Sequence, residues 1–81
     1  MKLDPAGFYV YHLWGDDPVV PLYTGQSERI MSRLGSHWAD PIKRTLVRNV
    51  QLIQCCDQSE MHGLEKRLIK ELQPTMNTMG K

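Results

Sequence analysis

Only two of the 81 residues are cysteine, and they are neighbours, Cys55 and Cys56. Adjacent cysteines are poorly placed to bond one another, and there is no Cys-x-x-Cys pair, so a disulfide scaffold and a zinc knuckle are both excluded. Both thiols are expected to be reduced core groups. His12 and His62 stand at no spacing that completes a zinc set with them, and no function is assigned to either. Long apolar runs are missing as well. The opening Met1-Lys2-Leu3-Asp4-Pro5 has none and nothing later approaches a membrane span, so the expectation is a cytoplasmic chain with no membrane partner. An excess of charge of one sign is also lacking: ten Lys and Arg stand against nine Asp and Glu. Near neutrality argues against tight autonomous binding of nucleic acid, whose non-specific part comes from neutralised phosphates. Repeats, low-complexity stretches and linkers are absent. A chain of this length forms one domain, 1–81, and buries only about 60% of its unfolded surface. So thin a core leaves little room for a large cavity, and an open surface site for an extended polymer suits it better.

What is present reads as an α+β domain. Gly7 to Trp14 and Val19 to Thr24 carry aromatic and β-branched residues in alternation, separated by Gly15, Asp16, Asp17 and Pro18, and so form a β-hairpin. Pro21 has no backbone donor and belongs at an edge or bulge of the second strand. From Ser27, a candidate N-cap, to Trp38 the period is helical, with Ile30, Met31, Leu34 and Trp38 as its apolar stripe. Asp40-Pro41 is an N-cap followed by a first-turn proline, which predicts a short helical turn through Arg44. Val47 to Cys56 returns to strand character, with Val50, Leu52, Ile53 and the cysteines at buried positions. Asp57 and Glu60 then make a capping box for a helix ending near Leu72, before Pro74. The order is ββα(α)βα, a small antiparallel sheet of about three strands flanked by helices.

Polar residues interrupt this pattern where a small core wants apolar groups. Glu65 falls within the stripe Met61, Leu64, Leu68, Ile69 and Leu72 of the last helix. Burying an unpaired carboxylate is expensive, so a cation has to meet it: a metal ion, or Arg33 in an ion pair. Arg33 and His37 lie one helical turn apart on the margin of the first helix. In the middle third, Arg29, Arg33, Lys43, Arg44 and Arg48 outnumber Glu28 and Asp40, which marks that stretch as the expected strand-facing surface. The hairpin Gly15 to Pro21 is acidic and is not expected to hold a polyanion.

The register of these residues resembles the GIY-YIG nuclease superfamily. It runs through Tyr9-Val10-Tyr11, Leu22-Tyr23-Thr24-Gly25-Gln26-Ser27, Arg33 and His37, then Glu65 and Pro74-Thr75-Met76-Asn77, nearly the whole chain. The Tyr-Val-Tyr wording makes Tyr11 the first-motif tyrosine, whereas a literal Gly-aromatic-Tyr search selects Gly7-Phe8-Tyr9. A period of two puts Tyr9 and Tyr11 on one face, so both remain candidates. One departure stands out: Gln26 occupies the place where the excision-repair branch has lysine.

The resemblance implies a metal-dependent endonuclease that hydrolyses phosphodiester bonds, in DNA rather than RNA, with 5′-phosphate and 3′-hydroxyl products. Tyr11 and Tyr23 position or deprotonate the attacking water, Arg33 clamps the phosphate, His37 donates to it or relays a proton, and Asn77 pins the C-terminal turn against the site. Glu65 becomes the ligand of Mg²⁺ or Mn²⁺, since one carboxylate with water suits a hard cation that keeps several waters. Gly25, Gln26, Arg29, Lys43, Arg44 and Arg48 make up the expected nucleic-acid contacts. No helix-turn-helix, zinc finger or basic tail is apparent, so specificity is expected from DNA shape, a homodimer or a protein partner. The alternatives are an inactive nucleic-acid-binding module of the same fold, which Gln26 and the low charge favour, and an RNA nuclease.

Overall fold

The structure, a computed structural model, describes residues 7–77. Its elements follow the expected order: β1 Phe8–Trp14, β2 Tyr23–Ser27, α1 Ile30–Trp38, α2 Pro41–Leu46, β3 Asn49–Cys55, α3 Gln58–Leu72 and a 3₁₀ turn Thr75–Asn77. The three strands are antiparallel in the order β2-β1-β3. β1 is therefore central, and every residue from Tyr9 to Leu13 is buried. Strand alternation divides those residues between two small cores. Tyr9, Tyr11 and Leu13 pack with Ile30 of α1 and with Val47, while Val10 packs with Cys55 and with Met61 of α3 on the other face.

Several local expectations yield to particular contacts. The second strand begins at Tyr23, not Val19. Asp17 Oδ1 accepts from the N–H groups of Val19 and Val20 at 2.8 and 3.2 Å, which holds the connection in a turn. Pro21 thus precedes the strand; it is buried, and its carbonyl accepts from Thr75 N–H at 3.3 Å. Ser27 does not cap α1: its hydroxyl accepts from Arg29 N–H at 2.9 Å, and the helix starts at Ile30 with Arg29 at the cap. The buried face of α1 is also rotated from the expected stripe. Met31 and Trp38 are 57% and 52% exposed, and His37 fills the inward place two turns beyond Ile30.

Other signals read as expected. Asp40 caps α2 by accepting from Ile42 N–H at 2.9 Å, although that helix runs on to Leu46. Asp57 caps α3 by accepting from Glu60 N–H at 2.8 Å, but Glu60 reaches back to Cys56 N–H at 3.2 Å and not to Asp57. At the sheet edge, β3 leaves Val50 exposed. Cys55 is buried and Cys56, at the end of the strand, is exposed, so only one thiol is a core group. On α3 only Met61 is fully buried, and Leu64, Leu68, Ile69 and Leu72 are half-buried, as a core this thin requires. The helix ends at Gln73 in a left-handed conformation, φ 48°.

Candidate active site

The site grows from one cross-strand pair. Tyr11 of β1 lies opposite Gly25 of β2. A Cβ at position 25 would stand 2.6 Å from Tyr11 Oη, 2.7 Å from Tyr11 Cζ and 2.8 Å from Tyr23 Cε2, distances no carbon sustains. The glycine of Tyr23-Thr24-Gly25 is thus what lets two tyrosine rings lie against the edge strand. Gly25 is itself buried by them.

The Tyr11 hydroxyl sits between two residues of α1. His37 Nε2 is 2.6 Å away, and Arg33 Nε donates to it at 3.2 Å. The other arm of Arg33 extends to Tyr23 Oη at 3.5 Å. Arg33 and His37 are four residues apart, so one face of α1 presents both to the same point. The three rings cluster, with centroids 6.0 Å apart for Tyr11 and Tyr23, 5.5 Å for Tyr11 and His37, and 4.8 Å for Tyr23 and His37. Lys43 of α2 closes the cluster, its ammonium 2.9 Å from His37 Nδ1 and 4.8 Å above the Tyr23 ring. Tyr9 lies one pleat from Tyr11 in the same apolar cluster. It is Tyr11 that meets His37 and Arg33.

These surroundings keep both groups neutral. Burial pushes the Tyr11 phenol up to about 12, against the opposing pull of the Arg33 hydrogen bond. Burial also lowers His37 to about 4, helped by the positive charges of Lys43 and Arg33.

Glu65 approaches from the other face of the sheet. It lies on α3 one turn after the buried Met61, and α3 packs across β2 and β1. Its side chain is half-buried, and burial raises its pKa, opposed by the charges of His62 and Arg33. Among the described residues no ion pair joins Glu65 to Arg33, whose donors are directed to the tyrosines. The ion-pair alternative for this carboxylate is not the arrangement found. No group of three or more His, Cys, Asp or Glu among the described residues could cage a metal. One desolvated carboxylate at the sheet edge fits a hard cation that completes its shell with water and phosphate oxygens.

Asn77 is brought to the same edge strand. Its Oδ1 accepts from Thr24 N–H at 2.7 Å and its Nδ2 donates to Thr24 C=O at 2.8 Å. Met76 N–H donates to Leu22 C=O at 2.7 Å beside it. On the far side of Thr24 the hydroxyl lies 2.7 Å from Nδ1 of the buried His12. His12 thus supports the second motif from within the core, a role its sequence gave no cue to beyond its placement opposite Thr24 in a hairpin.

The expected nucleic-acid contacts are spread more widely. Arg29 is exposed at the start of α1 and Arg44 is exposed on α2. Arg48 pairs with Asp16 at 3.3 Å, a bridge between largely exposed groups that contributes little to stability. That pair ties the acidic hairpin to the basic stretch. Gln26 is half-buried, and its Oε1 has no hydrogen-bond partner. Lys43 is half-buried and engaged with His37, a contact between two helices that residue spacing alone does not reveal.

No family model matches the chain. It is 42% identical over 74 residues to excinuclease cho of Salmonella typhimurium, an alignment covering 88% of this chain and 25% of that protein. It is 38% identical over 74 residues to UvrABC system protein C of Gemmatimonas aurantiaca, covering 82% of this chain and 12% of that one. The chain therefore spans about a quarter or less of the curated relatives it matches. Among solved structures, the magnesium-bound GIY-YIG N-terminal endonuclease domain of UvrC from Thermotoga maritima superposes with a TM-score of 0.79 at 27% identity. That match covers 94% of this chain and 89% of the other.

Proposed function

The chain belongs to the GIY-YIG superfamily, and from that premise we propose that residues 1–81 form one catalytic unit, a metal-dependent endonuclease that hydrolyses phosphodiester bonds in DNA. The observation that carries this reading is the Tyr11 hydroxyl held between His37 and Arg33 at the edge of the sheet to which Glu65 comes from the opposite face. The curated relatives are an excinuclease and a protein C of a UvrABC system, and the solved neighbour holds magnesium as its catalytic divalent cation. These features favour Mg²⁺ or Mn²⁺ on Glu65 and a cytoplasmic enzyme acting on DNA. Specificity then comes from DNA shape, a homodimer or a protein partner.

The chain's own residues have separable tasks. Arg33 offers a planar fork of donors; with one edge on the tyrosine hydroxyls, the rest is free to bind a non-bridging phosphate oxygen and offset the charge that builds there. Tyr11 and Tyr23 converge on the same opening and orient the attacking water. A phenol pushed up to about 12 is protonated at neutral pH, so in this state Tyr11 positions the water through its hydroxyl; it acts as a base only as the phenolate, which requires further positive charge to lower it. A divalent cation held by Glu65 would supply Lewis-acid stabilisation of the departing 3′ oxygen. Asn77 and His12 keep Thr24, and with it the Tyr23–Gly25 segment, in place.

The binding-module alternative rests on Gln26 and on the low net charge. A half-buried carboxylate facing a polyanion disfavours it, since a pure binder gains nothing from that repulsion. Incubating the protein with supercoiled DNA and with RNA, in Mg²⁺ or Mn²⁺ and in chelator, separates the readings. Metal-dependent nicking of DNA supports the endonuclease, RNA cleavage alone redirects the substrate, and binding without cleavage in either metal overturns the proposal.

A further inference from the structure

We propose that Lys43 is a positioning residue: its hydrogen bond to His37 Nδ1 fixes the imidazole in the tautomer whose proton lies on Nε2, aimed at the Tyr11 hydroxyl. A neutral imidazole has one donor and one acceptor nitrogen, and a bond of 2.6 Å to a hydroxyl is compatible with either arrangement. The second contact removes the ambiguity. A lysine ammonium has three donors and no acceptor, so Nδ1, 2.9 Å from Nζ, has to be the unprotonated nitrogen. The remaining ring proton is on Nε2.

The consequence falls on Tyr11. Its oxygen receives two donors, His37 Nε2–H and Arg33 Nε–H, which leaves the phenol's own proton to point elsewhere, toward Tyr23 or the open side. Were the proton on Nδ1 instead, the phenol would donate inward to Nε2 and, with Arg33 still on one lone pair, turn the other to the opening. Lys43 thereby decides whether Tyr11 faces the site as donor or acceptor. The imidazole is buried and neutral, with Lys43 and Arg33 both opposing its protonation, so it serves as a fixed hydrogen-bond donor. Lys43 also stands above the Tyr23 ring, so one ammonium braces two members of the cluster. The helix that carries it is set by the Asp40 cap and Pro41, three and two residues earlier.

This inference rests on the endonuclease reading for its catalytic consequence, but the tautomer can be read without nucleic acid. Long-range ¹H–¹⁵N spectra of the imidazole rings report which nitrogen is protonated, with His37 assigned by comparison with His37→Asn. The expected wild-type signal places the proton on Nε2. Lys43→Met keeps the aliphatic stem and removes the donor; it is expected to populate the Nδ1-protonated form and to slow single-turnover cleavage at saturating DNA about tenfold, the weight of one hydrogen bond. Lys43→Arg retains a donor and is expected to restore the Nε2–H signal and most of the rate. A wild-type proton on Nδ1, or a spectrum unchanged in Lys43→Met, overturns the proposal and leaves Lys43 a phosphate contact. A shifted tautomer with an unchanged saturated rate removes the positioning role. A wild-type protein that cleaves nothing contradicts the endonuclease reading alone, because the spectra still decide the tautomer.

Discussion

Asn77 completes both backbone hydrogen bonds of Thr24 with a single side chain, accepting from its N–H and donating to its C=O across 53 residues of sequence. A carboxamide is the smallest group able to do this, standing in for one residue of a fourth strand at the outer edge of β2. Asn77→Ala leaves two part-buried backbone groups without their partners and is expected to destabilise the fold by about 1–3 kcal/mol. Asn77→Asp keeps the acceptor, sets a carboxylate oxygen against the Thr24 carbonyl, and should cost at least as much. Thermal melting of both variants checks this, and a melting point equal to wild type for Asn77→Asp would show that the bond to the carbonyl does not matter.

Gly25 is required by space and not by backbone conformation. Gly25→Ala drives a methyl into the Tyr11 hydroxyl and the Tyr23 ring, so the rings have to move or the strands part. Overpacking of this kind costs about 1–3 kcal/mol, and the displaced hydroxyl loses His37 or Arg33. The expected result is a folded, less stable protein with cleavage reduced far more than DNA affinity. Equal losses in both would indicate that Gly25 contacts the strand directly.

The order of elements was legible because it rests on local signals: alternation in β1, the Asp40-Pro41 start, and the Asp57 cap. The candidate site residues were legible as a register of residue types. What stayed hidden depends on how helices meet the sheet. The stripe read for α1 placed Met31 and Trp38 inside because they are apolar, whereas the cluster with Tyr11 and Tyr23 turns His37 inward and leaves them to solvent. Lys43 read as a phosphate contact because its charge was visible and its neighbour on α1 was not. The second strand starts later than its residues predict: Val19 and Val20 favour strands, and a side-chain turn at Asp17 overrides that preference.

Acid should weaken the fold through its buried histidines. His37 is lowered to about 4 from an ordinary 6.5, and burial lowers His12 as well. Between those limits the unfolded chain binds protons that the folded one refuses, so stability is full above about pH 6.5 and is lost as pH falls toward 4. The His37 part is at most on the order of 3 kcal/mol. Denaturant unfolding across this range checks the sign, and His37→Asn should flatten the slope while leaving the share due to His12.

Plasmid nicking by Glu65→Gln, measured across a Mg²⁺ titration beside a melting curve of the same preparation, bears most directly on the assigned chemistry. Burial already disfavours the ionised carboxyl, so the neutral isostere should fold at least as stably as wild type. The expected outcome is an intact or raised melting temperature with no cleavage at any Mg²⁺ concentration, while the wild-type protein nicks DNA in Mg²⁺ and stops in chelator. Wild-type cleavage rates in Glu65→Gln would contradict the account.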